Sequence, residues 1–383
     1  MRRAALFLCL AAAGCDSAPG IETTCDFPAL DRTVLVLERS DQTSALARLA
    51  GGCFAEAPSD LALGADQYPF AVRGRAFVGV NDRGSLHEID VDALSFRTTF
   101  DVYADHPKPD RPHGIYGVDV DASGDLWVSR DDVASLVVVK PNGKLDVVDL
   151  SDLDPDGIPD MNGVLVRDGK AFVALGFLPA WNTPAFGDHA TRAGAVAVID
   201  VATRTRLDVI DLIGHNPVHA LVPTADPDVV VVATPGAHDE LASEDGVERV
   251  WLDGSRKTEQ VIDEKELGGS VEEVVWGSDT EAYAIVLGPE PGLNPTRVVA
   301  FDPSKPAGQR VTRELAKAPW FADAVNGAAY VHAGLALAKD HVIVGDHTPG
   351  APGLRIFARQ TGAEVAFIPA RNAAPWALVA LDP

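Results

Sequence analysis

Trp376-Ala377-Leu378-Val379-Ala380-Leu381 is a short apolar run with the composition of a β-strand. It stands alone, after the last complete group of predicted strands. Near the other end of the chain, Thr33 to Glu38 and Ala45 to Leu49 are predicted strands with no first strand before them. Pairing the lone strand with this incomplete group would complete it and close the chain into a ring.

Short β-branched runs recur in groups of four along the chain between these two regions. Each group spans roughly 50 to 60 residues, with turn residues between the runs, which is the spacing expected of propeller blades. Six complete groups begin near Leu61, Ile115, Val164, Ala220, Glu272 and Ala328. The clearest markers are their third runs, which are Leu86 to Asp90, Leu136 to Lys140, Val196 to Asp200, Val247 to Asp253, Val298 to Asp302 and Leu354 to Phe357.

This repeat predicts an all-β fold, a seven-bladed β-propeller whose ring is closed by pairing the C-terminal strand with the N-terminal blade. Closure protects sheet edges that would otherwise be exposed. We therefore predict a signal peptide over residues 1–14, a lipid-anchor tether over residues 15–30 and one propeller domain over residues 31–383. An open β-solenoid and a ring of six or eight blades are the alternatives.

The N-terminus has the pattern of a bacterial export signal. Two arginines precede the apolar run from Ala4 to Ala13, which is too short to span a membrane. Ala12-Ala13-Gly14-Cys15 resembles the lipobox of bacterial lipoproteins, although Ala12 stands where Leu is favoured, and it predicts lipidation of Cys15. Ordinary cleavage after Ala13 is the alternative. The predicted location is extracytoplasmic, lipid-anchored in the cell envelope on the periplasmic side or at the outer membrane and cell surface.

Cys25 and Cys53 are the two cysteines that remain outside the leader and its processing site. An even pair in an oxidising compartment predicts a disulfide. The bond would attach the segment after the anchor to the first blade and contribute on the order of 3 kcal/mol. Two unpaired thiols are the alternative.

The net charge of −24 argues against nucleic acid as a partner, because nucleic-acid binding requires a basic patch. No apolar stretch after Ala13 reaches the length of about 18 residues that a transmembrane helix needs. The predicted membrane contact is therefore the N-terminal lipid anchor. We expect a monomer.

Two segments resemble a known repeat. Ala195 to Leu212, with Gly214-His215-Asn216-Pro217 just beyond, and Phe77 to Asn81 followed by Leu86 to Asp90 look like the YVTN-type repeats of bacterial surface and periplasmic β-propellers. Blades three and seven depart from the pattern because their marker strands lack the closing Asp. The resemblance implies the fold and an extracytoplasmic setting, and it does not imply one reaction.

The most specific local motif is Asp152-x-Asp154-x-Asp156-Gly157-x-x-Asp160. Carboxylates at alternate positions of a tight loop can converge on a hard cation, and the glycine permits the sharp turn. The motif resembles the calcium loops of integrin-type propellers. It predicts bound calcium, with a solvated acidic turn between two blades as the alternative.

A second candidate site is the rim of the central channel. The innermost strands of propeller blades start at one rim, where side chains from many blades converge. The residues predicted to bind a ligand there are His113, Tyr116, Asn162, His219, Glu272, Asn326 and Trp376. For any one of them, a hydrogen-bonded structural role is the alternative.

Several enzyme signatures are absent, including G-x-S-x-G, H-E-x-x-H, a Walker loop and C-x-x-C-H. Their absence favours a non-enzymatic envelope protein that binds or scaffolds an unknown protein or small molecule, although it does not exclude catalysis. The competing hypothesis is a metal-dependent hydrolase similar to the lactonase-type propellers. Its channel metal would be held by His113, Asn162, Glu272 and Asn326.

Overall fold

The computed structural model describes residues 22–25, 27–28, 30–39, 44–57, 67–106, 114–179, 190, 192–236, 241–288, 296–318, 331–370 and 374–381. Within these ranges the strands form seven antiparallel sheets, six with four strands and one with five. No helix in the described residues is long and apolar enough to cross a membrane. The protein is a seven-bladed β-propeller, as the repeat predicted.

Blades 1 to 4 use the first sixteen strands of the chain. In chain order these are β1 (Glu22–Cys25), β2 (Thr33–Arg39), β3 (Ser44–Ala50), β4 (Cys53–Glu56), β5 (Gln67–Val72), β6 (Arg75–Val80), β7 (Ser85–Asp90), β8 (Ser95–Asp101), β9 (Ile115–Val120), β10 (Leu126–Arg130), β11 (Ser135–Val139), β12 (Leu145–Asp149), β13 (Met161–Arg167), β14 (Lys170–Leu175), β15 (Ala195–Asp200) and β16 (Arg206–Asp211). Short 3-10 helices follow β6 at Asn81–Arg83 and β12 at Ser151–Leu153.

Blades 5 to 7 repeat the same four-stranded meander. Their elements are β17 (Val218–Pro223), β18 (Val229–Thr234), β19 (Gly246–Trp251), β20 (Thr258–Asp263), the helix α1 (Glu264–Leu267), β21 (Ser270–Ser278), β22 (Glu281–Leu287), β23 (Thr296–Phe301), β24 (Val311–Lys317), β25 (His332–Leu337), β26 (His341–Asp346), β27 (Gly353–Ala358) and β28 (Glu364–Pro369), followed by β29 (Ala374–Leu381).

The last strand closes the ring. β29 pairs antiparallel with β2, with Leu378 opposite Val36, and blade 1 has the order β1-β4-β3-β2-β29. This is the predicted pairing of the C-terminal strand with the N-terminal blade. It gives blade 1 an innermost strand that its own N-terminal sequence lacks.

The predicted strand starts agree less closely with the structure. Ile115 begins β9, whereas Val164, Ala220 and Glu272 lie two or three residues inside their strands. Before these positions, Asn162 and His219 are polar and lie outside regular pairing, and Ser270 is polar, so the apolar pattern is interrupted near each strand start. Leu61 and Ala328 lie outside the described residues.

The hydrophobic core lies between neighbouring blades. One buried cluster joins Trp127 and Leu136 of blade 3 to Val173 and Ala197 of blade 4. Another joins Val36 of blade 1 to blade 7. Because each blade buries both faces against its neighbours, its middle strands are almost continuously apolar.

The innermost strands approach one another closely at three glycines. A Cβ atom on Gly117 of β9 would lie 2.6 Å from the carbonyl oxygen of Asn162, and one on Gly163 of β13 would lie 2.4 Å from that of His219. A Cβ on Gly334 of β25 would lie 2.9 Å from the Cα of Ala377. Only glycine lets neighbouring backbones approach this closely. These contacts join positions two to four of neighbouring innermost strands, so these strands run in the same direction. The strand order repeated in every blade extends this direction to the other innermost strands.

The outer edge of blade 1 carries the extra strand β1. Its register with β4 sets Cys25 directly opposite Cys53. Opposite residues of an antiparallel pair lie within the Cα separation that a disulfide requires. The register is compatible with the predicted disulfide, which stays a prediction.

We expect Leu378→Ala to lower the free energy of unfolding by about 2 to 4 kcal/mol, because it leaves a cavity where β29 meets the core. Leu378 is 3 % exposed, whereas Leu207 on the outer strand of blade 4 is 54 % exposed. Leu207→Ala, the matched control, should change stability by no more than about 0.5 kcal/mol. Urea denaturation followed by circular dichroism measures both. Equal losses would contradict the role assigned to ring closure.

Candidate functional site

We define the channel mouth as the first three residues of each innermost strand, which are β29, β5, β9, β13, β17, β21 and β25 for blades 1 to 7. These strands contact one another in this order around the channel. Because they all run in the same direction, their first residues lie at the same end of it. The predicted rim residues should therefore meet at this end.

β-Bulges interrupt six of the seven innermost strands at the channel mouth, and among the described strands only β5 pairs there without a break. The residues left out of regular pairing are Tyr116 in β9, Asn162 and Gly163 in β13, His219 to Leu221 in β17, Glu272 in β21, Ala333 and Gly334 in β25, and Trp376 in β29. Bulges redirect side chains and are common beside active sites.

Five of the seven predicted rim residues lie in these bulges. They are Tyr116, Asn162, His219, Glu272 and Trp376. The other two, His113 and Asn326, lie outside the described residues. The structure therefore brings all the described members of the predicted set to one end of the channel.

The backbone of His219 is in the left-handed region, with φ of 58°. A non-glycine residue in this region is uncommon and costs about 1 kcal/mol or more. Local strain of this kind concentrates at functional sites. The conformation belongs to the three-residue bulge of β17, opposite Val232.

Aromatic rings meet across the channel. The rings of Tyr68 and Tyr116 lie 4.9 Å apart between centroids at an angle of 63°, and Tyr68 lies 6.5 Å from the ring of His219. Tyr68 belongs to blade 2 and His219 to blade 5, so their contact spans the channel rather than a blade interface. All three residues are half-buried. We call these three partly exposed rings the aromatic floor, and the end of the channel next to them the recess.

Sequence reasoning missed Tyr68, because it placed the start of blade 2 at Leu61 instead of Gln67. It also missed His347, whose ring lies 5.4 Å from that of Trp376 and whose Nε2 lies 2.6 Å from the carbonyl oxygen of Pro375. The sequence from Gln67 to Val72 alternates as a β-strand does, and this pattern could have placed Tyr68 near the start of β5. The contact of His347 depends on packing between blades 7 and 1, which no local pattern predicts.

Burial shifts the pKa of one mouth residue and of the residue next to another. It lowers the pKa of His219 to about 4, so this imidazole is neutral at pH 7. Burial also raises the pKa of the neighbouring Glu273 to about 8, and the nearby charge of Glu272 adds to the shift. Backbone N–H groups of Leu335 and Gly334 oppose the shift by donating to Glu273, which thereby links blade 6 to blade 7.

The four carboxylate groups of the predicted calcium loop do not meet at one point. Asp152 points to Arg206, whose two terminal nitrogens lie 2.6 and 2.8 Å from its oxygens. Asp154 is buried, and its Oδ2 has no hydrogen-bond partner in the described structure. No group of three His, Cys, Asp or Glu side chains in the described parts of the chain is arranged to hold a metal ion. Calcium binding therefore stays a prediction for direct measurement.

Asp160 is part of a different grouping. It is buried, and its Oδ2 accepts the backbone N–H of Leu178 at 2.6 Å. Burial raises its pKa to about 8, and the charges of Asp131, Asp156 and Asp154 add to the shift. We call Asp131, Asp154, Asp156 and Asp160 the blade-3/4 acidic cluster. Asp131 directly follows β10, far ahead of the predicted loop that begins at Asp152, and sequence spacing gave no reason to include it.

Comparison with known proteins supports the fold. The chain is similar to Kuenenia stuttgartiensis hydrazine synthase, with 15 % identity and a TM-score of 0.55, over 81 % of this chain and 89 % of that one. It is similar to Citrobacter koseri AztD, with 12 % identity and a TM-score of 0.53, over 91 % and 97 %. It is also similar to a protein of unknown function from Desulfotomaculum acetoxidans, with 11 % identity and a TM-score of 0.54, over 92 % and 100 %.

Sequence comparison adds no family to this likeness. No protein-family model matches the chain, and no curated protein matches its sequence. At such low identity the structural likeness shows the fold alone, and a propeller fold hosts many unrelated functions.

The calcium motif predicts that isothermal titration of the metal-free protein with Ca²⁺ shows one binding event, which Asp156→Ala removes. Asp156 is the central carboxylate of the motif, so its loss should weaken a hard-cation site most. Asp279→Ala, an exposed turn residue of blade 6, is the control and should bind as the unmodified protein does. Absence of heat from the unmodified protein would rule the calcium loop out.

Titration of Glu273 should appear in the stability of the fold. A carboxyl group whose pKa is raised from 4.5 to about 8 stabilises the folded state at low pH, and this contribution is lost as pH rises through 8. We expect the free energy of unfolding to fall between pH 5 and 8 by less in Glu273→Gln than in the unmodified protein. The exposed Glu259 provides the control variant Glu259→Gln. Identical pH profiles for all three proteins would contradict the burial of Glu273.

Proposed function

We propose that this protein is an exported, lipid-anchored β-propeller of the cell envelope, of the YVTN-type kind, that binds a ligand at the channel mouth without transforming it. The observation that carries the proposal is the placement of β-bulges. Six blades carry a bulge at the same level, and five of the bulges present a large or polar side chain there. Bulges turn side chains out of the paired sheet, so bulges at one level in six blades bring these side chains together at one end of the channel.

The composition of the recess suits binding. Ligand sites combine apolar or aromatic surface with a few polar groups that orient the ligand. Tyr68, Tyr116 and Trp376 supply the aromatic surface, and Asn162 and Glu272 supply polar groups. The strained backbone of His219 is a further mark of a functional position.

The hydrolase hypothesis has less support. It needs a channel metal with space for substrate beside it, whereas the Tyr68–His219 contact crosses the channel at this level. Asn162, one of its proposed ligands, donates from Nδ2 to the carbonyl oxygen of Asp160 at 3.4 Å. One bound calcium that survives Asp156→Ala and disappears in Asn162→Ala would revive it.

Export and anchoring are supported by the leader, by Gly14-Cys15 and by the remaining cysteine pair of Cys25 and Cys53. We expect the unmodified protein to partition into the detergent phase of a Triton X-114 extraction. Cys15→Ser should move it to the aqueous phase, because the thiol is the predicted acyl acceptor. Cys9→Ser, which changes the apolar leader, is the matched control. Detergent partitioning by Cys15→Ser would contradict the anchor.

Ligand binding can be tested without knowing the ligand. The purified protein is equilibrated with a small-molecule extract of its host, and retained compounds are identified by mass spectrometry. Tyr116→Ala should retain less of any specific compound, while Phe367→Ala, which removes an exposed aromatic ring on the outer strand of blade 7, should retain as much as the unmodified protein. Equal retention by all three proteins would contradict binding at the channel mouth. Recovery of a hydrolysed compound would favour the enzyme.

A further inference from the structure

We infer that the ligand of the channel mouth is an organic ammonium ion, held against the aromatic floor and beside Glu272. This inference rests on the proposed function and specifies its ligand.

Aromatic faces attract cations through the negative charge above the ring. Tyr68 and Tyr116 lie against each other on the floor, and Trp376 stands in the bulge of the neighbouring blade 1. Several aromatic rings around one recess are the arrangement that proteins use to bind quaternary ammonium groups. The planes of the two tyrosine rings meet at 63°, so the edge of one ring contacts the face of the other.

The third floor residue does not repel a cation. His219 is neutral at pH 7, because burial lowers its pKa to about 4. Its ring therefore adds an aromatic surface and a nitrogen lone pair without a positive charge. A charged imidazole at this place would oppose ammonium binding.

The charge of the mouth is negative. Among the first three residues of the seven innermost strands, Glu272 is the acidic residue and there is no lysine or arginine. The blade-3/4 acidic cluster stands beside the mouth, connected to it through Asn162 and Asp160. Within this cluster Asp154 keeps a buried Oδ2 that has no hydrogen-bond partner in the described structure. Glu272 gives the mouth a negative charge, which favours a cation and disfavours an anion.

The test uses choline and its neutral isostere 3,3-dimethyl-1-butanol as probes, which differ in one positive charge. We expect isothermal titration to show choline binding at least about tenfold more tightly than the alcohol, which corresponds to about 1.4 kcal/mol. Glu272→Gln should weaken choline about tenfold and leave the alcohol unchanged. Glu259→Gln, on the exposed outer strand of blade 5, should bind both as the unmodified protein does.

Tyr116→Ala and the bulkier Tyr116→Leu should both weaken choline, with circular dichroism confirming that each variant is folded. Equal binding of choline and the alcohol, lost in both Tyr116 variants, would overturn the ammonium assignment and leave the proposed function in place. If a neutral disaccharide binds and choline does not, the ammonium assignment is likewise overturned and the proposed function stays in place. Failure of all three probes overturns the ammonium ligand, and the extract experiment then decides the proposed function separately.

Discussion

The pairing of β29 with β2 is the constraint on which the rest of the structure depends. Every blade buries one face against the blade before it and the other against the blade after it, and blade 1 meets this requirement through Val36 towards blade 7 and Leu35 towards blade 2. Without β29, blade 1 would present an unpaired edge to the channel. The buried interfaces between blades follow one another around the ring. The interface between blades 7 and 1 therefore also constrains the spacing of the interface between blades 1 and 2.

Closure of the ring also explains the bulges. The innermost strands converge until the backbone at Gly163 nearly touches the carbonyl group of His219, which leaves little space for side chains in a regular register. An extra residue in one strand lets a side chain leave the paired sheet and point along the free end of the channel. Tyr116, Glu272 and Trp376 occupy such positions. The recess is thus a consequence of packing seven strands around one axis.

Most of the fold could be predicted from the sequence, because buried middle strands are apolar on both faces and give a strong repeat. The site was predictable in part. Polar residues near the starts of innermost strands pointed to Asn162 and His219, but the ring contact between Tyr68 and His219 joins residues far apart in the chain. Asp152 fits the spacing of a calcium loop, whereas in the structure it accepts a hydrogen bond from Arg206. The two residues are 54 positions apart, so local spacing could not predict this bond.

The energetics of the mouth favour a ligand as well. Folding holds Asp160 and Glu273 where burial raises the pKa of each to about 8, and it holds His219 with a left-handed backbone. Each of these features opposes folding, because desolvating a carboxylate or straining a backbone costs free energy. Asp160 precedes β13, His219 lies in the bulge of β17, and Glu273 follows the bulge residue Glu272 of β21. A cation beside Glu272 would lower the free-energy cost of ionising the adjacent Glu273, whose pKa the charge of Glu272 helps to raise.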